Sequence, residues 1–131
     1  MRHRIITTRH HTYCDGTTCD CDYIKREYYD NNEDEPVAND IPYKNGKMNG
    51  IARLYFYQSD NTIEREIPYV NGIVDGPINE YFESTKTLQS STFYKRNLKH
   101  GLETIFREDG SLFSVTLFQM GKPTAVKENF F

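Results

Sequence analysis

One frame recurs four times along this chain and limits the possible folds more than any other feature. Each copy is counted from an aromatic residue at position zero: Tyr43, Tyr69, Tyr94 and Phe118. Six residues earlier stands an aliphatic, Val37, Ile63, Leu88 or Leu112. Three residues later comes Gly46, Gly72, Asn97 or Gly121, and seven later Gly50, Gly76, Gly101 or Ala125. A second aromatic follows at twelve: Tyr55, Tyr81, Phe106 or Phe130. The steps between copies are 26, 25 and 24 residues (69−43, 94−69, 118−94), and the shrinkage falls in the link from second aromatic to next aliphatic. A rigid frame with elastic links marks a repeated supersecondary unit.

The unit reads as a β-hairpin. Asn45-Gly46 and Asn71-Gly72 supply the positive φ that a tight hairpin turn needs, and Asn97 suits the same place. The second glycine, four residues on, implies a longer loop or a bulge where the chain re-enters the sheet. Positions −6 and zero share parity, so one strand face is expected to carry both. Rings of adjoining hairpins are then expected to form one ladder: Tyr43, Tyr55, Tyr69, Tyr81, Tyr94 and Phe106. That ladder would supply most of the burial, and part of it would line a groove for a partner. Residues 112–117 are apolar at both parities and are expected to be covered twice. Pro42 and Pro68 have no N–H, which predicts a bulge or widened pair at each. No stretch, 86–98 included, keeps a helical period.

The string Tyr-x-Asn-Gly, then x-x-x-Gly, then an aromatic five residues on resembles the MORN repeat, closest to the bacterial variant of antitoxin-like proteins. The resemblance covers about residues 37–131. It departs at Asn97, Ala125, Pro77 and Pro123, so the fourth unit matches least well. It implies an all-β, elongated antiparallel meander of stacked hairpins. It also implies a non-enzymatic interaction module with antitoxin-like binding of a partner protein.

Residues 1–36 are less regular but echo the frame. Tyr13-Cys14-Asp15-Gly16 copies the turn, and Tyr29 precedes Val37 by the interval that separates Tyr55 from Ile63. A fifth hairpin is therefore expected at the head of the chain, with 4–13 arriving, Tyr13 at zero and Tyr29 as second aromatic. Their wider separation places an insertion within 17–27. Arg2, Arg4 and Arg9 would discourage edge-to-edge pairing. The whole of 1–131 reads as one domain. Asp30–Pro36 is an acidic link without calcium-loop spacing.

The formal charge of −3 gives no basic footprint for nucleic acid. No apolar run approaches the ~18 residues of a membrane span, and the basic start lacks an apolar core like that of a signal peptide. The expected compartment is the cytoplasm.

Cys14, Cys19 and Cys21 lie close together beside His10 and His11. Three thiolates and the imidazole of His10 have the chemistry of a tetrahedral zinc site, though C-x4-C-x-C is not a standard spacing. Reduced thiols and a disulfide pair stay open beside it. Ser90, Ser91 and His100 lack triad spacing, and His100 reads as a surface loop residue. The glycines lack the Lys-Ser/Thr of a phosphate loop. No catalytic residue and no cofactor are expected; a partner protein is. The alternatives are a small metal-binding protein and a lipid-surface binder, the latter disfavoured by the acidic balance.

Overall fold

The computed structural model describes residues 3–9, 22–29, 36–57 and 61–128, with 3–9 and 125–128 given by their backbone alone. Twelve strand segments form one antiparallel sheet, with no helix among the described residues. They are β1 (His3–Arg9), β2 (Asp22–Tyr29), β3 (Val37–Lys44), β4 (Lys47–Met48), β5 (Gly50–Tyr55), β6 (Ile63–Val70), β7 (Ile73–Val74), β8 (Gly76–Tyr81), β9 (Leu88–Lys95), β10 (Leu98–Phe106), β11 (Leu112–Gln119) and β12 (Lys122–Glu128). Neighbours in space follow chain order, so the fold is an open meander. Each −6 aliphatic opens a strand: Val37, Ile63, Leu88 and Leu112 begin β3, β6, β9 and β11.

The turns explain why Asn and Gly recur. Asn45 and Gly46 have φ of 52° and 79°, and Asn71 and Gly72 have 49° and 83°. Two consecutive positive φ values make the tight turn whose twist matches that of the strands. Arg96-Asn97 (50°, 69°) and Met120-Gly121 (51°, 87°) adopt the same turn. The turns are tied in series along one edge of the sheet. Gly72 N donates to Met48 O (2.7 Å), Asn97 N to Val74 O (2.9 Å) and Gly121 N to Lys99 O (2.8 Å). His100 lies in β10 rather than in a loop, and its Nδ1 accepts from Met120 N at 3.3 Å. Asn49, the same position one unit earlier but one, takes Asn71 N on its Oδ1 at 3.1 Å.

The second glycine makes a bulge, not a longer loop. Before it Tyr43 faces Met48; past it Asp40 faces Arg53, so the returning strand carries two residues more than its partner. Gly50, Gly76 and Gly101 have φ of 114°, 126° and 117°, where a side chain is strained. A Cβ would also lie 3.1 Å from Pro42 Cγ, Pro68 Cγ and Phe93 Cβ respectively. The irregularity expected at Pro42 and Pro68 therefore sits across from them, while both prolines stay paired in register with Ile24 and Ile51. In the fourth unit Ala125 cannot take such a φ readily, and the bulge there shrinks to one residue: Phe118 faces Pro123 and Leu117 faces Ala125.

A second set of bulges marks the junctions between units. Leu54 faces Arg65 but Tyr55 faces Ile63, which skips Glu64; Gln89 and Phe113 are skipped in the same way. At the first junction Tyr28, not Tyr29, faces Val37, so the second aromatic of the leading hairpin is displaced by one residue from the expected alignment. In that hairpin the described pairs of the arriving strand run from His3 opposite Tyr29 to Arg9 opposite Tyr23, which covers the first part of the expected span 4–13. Tyr13 itself lies outside the described residues.

The sheet is a single layer. Among the described residues Ala38 and Ala52 are the buried hydrophobic ones, and no large side chain of these is fully buried. Cohesion comes from half-buried side chains meeting across strands.

Candidate interaction surface

Strand alternation and register sort the side chains between two faces. The back bears the leading aromatics Tyr43, Tyr69, Tyr94 and Phe118, with Ala52, Ile67 and Thr92. Gly50, Gly76 and Gly101 stand opposite Tyr69, Tyr94 and Phe118, so each ring meets a position without a side chain. Where Tyr23 replaces glycine opposite Tyr43, the two rings stack at 4.9 Å and within 1° of parallel. The Lys99 ammonium lies over the Phe118 ring and bonds Glu103, which also accepts from Thr92 (both 3.0 Å).

The second aromatics project from the front. Tyr55 Oη donates to Asp40 (3.3 Å) and Tyr81 Oη to Glu66 (2.7 Å). The single ladder expected from parity is therefore split: Tyr43, Tyr69 and Tyr94 are on one face, Tyr55, Tyr81 and Phe106 on the other. The junction bulges also bring Val37 and Ile63 to a front cavity shared with Tyr55, away from the leading aromatics. Parity counted through a bulge assigns the wrong face, which is why the shared-face expectation fails.

A row of charge crosses the front: Arg26, Asp40, Arg53 and Glu66 face one another in turn on β2, β3, β5 and β6. Arg26 grips Asp40 with two bonds of 2.7 and 3.0 Å, and Arg53 approaches Glu66 at 3.7 Å. The row continues through Asn79, Ser91 and Thr104 without charge. Asp40 holds the Arg26 proton more firmly than usual. Burial, then Asp40, raises Tyr55; burial, then the bond to Glu66, pushes Tyr81 up to about 12.

Beside that row runs an apolar one at positions −1 and +8: Pro42, Ile51, Pro68, Pro77, Phe93 and Leu102, ending at Leu117. Much of it is open to solvent, with Ile51 and Phe93 each 46% and Leu102 49% exposed. Residues 112–117, expected to be covered twice, leave Phe113 and Leu117 exposed. The parity of −1 and +8 is readable in the sequence, but a proline there reads as a ladder breaker rather than as surface.

Cys14, Cys19, Cys21 and His10 lie outside the described residues. Among the described residues no three His, Cys, Asp or Glu side chains gather to hold a metal, and no helix is long and apolar enough to cross a membrane. Ser91 faces Thr104, four residues and about 13 Å along the strand from His100, so the two do not meet. No family model matches this chain, and no curated protein or solved structure matches it.

Proposed function

We propose that this chain is a non-enzymatic protein-interaction module that binds a partner across the front of its sheet. The observation that carries this reading is the apolar row from Pro42 to Leu117, held open on a layer that has nothing packed over it among the described residues. Contiguous exposed apolar surface of this kind serves recognition more often than folding. The resemblance to antitoxin-like MORN proteins narrows the proposal: the partner is a toxin that this protein occupies and neutralises. The second aromatics Tyr55, Tyr81 and Phe106 border the same surface.

Affinity capture from native cell extract, with wild type and a Phe93→Glu/Leu102→Glu variant in parallel, tests it. A partner retained by wild type and lost by the folded variant supports the module. A retained partner that arrests growth when expressed alone, and not when co-expressed, supports the antitoxin role. No retention above background, together with turnover in a substrate screen, overturns the reading.

A further inference from the structure

The charged row alternates in sign and also in exposure. Arg26 is 39% exposed beside Asp40 at 16%, and Arg53 is 43% exposed beside Glu66 at 19%. The carboxylates are overlaid by guanidinium groups and capped by Tyr55 and Tyr81, so a visitor meets the positive ends. Those ends sit in a trough. A hollow of about 420 Å³ is lined by Val37, Tyr55 and Ile63, and one of about 300 Å³ by Ile24, Pro42 and Ile51. The two share Asp40 and Arg53, so they join lengthwise along β3 and β5, with apolar side chains toward both ends and, in the middle, the paired Arg26 and Asp40 beside the more exposed Arg53.

The spacing selects an occupant. Each apolar end lies two strand residues from the arginines, about 6.6 Å. An extended peptide lying along the strands presents every second side chain at the same pitch. We propose that the trough takes an extended segment of the partner with an Asp or Glu flanked two residues away on each side by apolar side chains. This deepens the interaction-module reading and rests on it. Arg53 is the specificity residue: its single 3.7 Å pairing leaves donors for a carboxylate, whereas Arg26 is already held by two bonds.

Selection of random linear heptapeptides displayed on phage, on the intact protein, tests the assignment. Enriched sequences are expected to read apolar-x-acidic-x-apolar. An enriched peptide, labelled for fluorescence anisotropy, should bind Arg53→Glu about tenfold or more weakly, the scale of one lost charge-assisted bond. Repeating the selection on Arg53→Glu should favour a basic central residue, a change that mere loss of packing would not produce. Enrichment without a central acid, or affinity unchanged in a variant with wild-type circular dichroism, overturns the proposal. Capture that survives Arg53→Glu yet is lost with Phe93→Glu/Leu102→Glu overturns the trough and leaves the module standing.

Discussion

The two faces of this sheet are built by the same strands from the same repeat, yet they carry different duties. The back sets three of the four leading rings opposite a glycine and the fourth against Tyr23, and covers Ala52 to 2% exposure. The front leaves Ile51, the preceding residue, 46% exposed and surrounds it with ion pairs. The difference teaches that a one-layer repeat protein can divide its apolar residues between cohesion and recognition by parity alone.

That division can be broken at two adjacent residues. Ala52→Glu forces a carboxylate into a closed site and should destabilise by about 3 kcal/mol or more. Ile51→Glu on the front should cost less than about 1 kcal/mol. Chemical denaturation of the two variants measures both. Equal losses would mean that the faces are not distinct.

The second glycine keeps the faces in place. In the first three units the two-residue bulge preserves parity, and position +8 stays on the front. With Ala125 the bulge loses a residue, and Val126 at +8 falls opposite Thr116 of the back row instead. Gly76→Ala is therefore expected to lose roughly 2–3 kcal/mol, since it meets both a strained φ and the Pro68 ring. Gly72→Ala, with open space at its Cβ, should lose about 1 kcal/mol. Adding Pro68→Ala to Gly76→Ala should recover the steric share only. Thermal midpoints rank the three, and a Gly72 variant as weak as the Gly76 one would refute the steric argument.

The frame itself was legible. Offsets of −6, +3 and +7 mark strand starts, turns and bulges, because φ > 0 and strand entry are local demands that particular residues meet. What was hidden depends on register. Tyr55 and Tyr81 leave the expected ladder because the two-residue turn pairs positions of opposite parity, Tyr43 with Met48 and Tyr69 with Val74. Val37 and Ile63 leave the face of the leading aromatics because bulges at Ala38 and Glu64 reset parity, and a bulge has no fixed residue type. Tyr28 and Tyr29 were indistinguishable for the same reason. The front trough was hidden because Arg26 and Arg53 meet Asp40 only across strands, although every charged partner was in plain view.

Alkaline titration sharpens the comparison, because two of the front aromatics, Tyr55 and Tyr81, carry phenols bonded to carboxylates. Tyr81 keeps its proton to about pH 12 in the fold, while the unfolded chain releases it near 10.0. The folded state thus binds more protons between those values, so the contribution of Tyr81 is intact below 10.0 and fades as pH rises toward 12. Tyr81→Phe should show a smaller drop in denaturation midpoint than wild type on going from about pH 9 to about pH 11. An identical drop would place the Tyr81 phenol in water rather than against Glu66.

The smallest effect lies at the turn edge, which belongs to neither face. Met120 holds a φ of 51° and is exposed, so its side chain gains little there while its Cβ crowds the left-handed backbone. Asn45 and Asn71 occupy the same turn position in other units, where a short polar side chain eases that conformation. Met120→Asn should therefore stabilise by roughly 0.5–1 kcal/mol, leaving the bond from its N–H to His100 Nδ1 in place. Because the gain is backbone strain relieved, it should persist in a His100→Asn background, where the amide oxygen accepts as Asn49 does. A gain that vanishes with His100 altered would instead tie the stability of this turn to the imidazole contact, and would make the edge, not the bulge, the place where units are held in register.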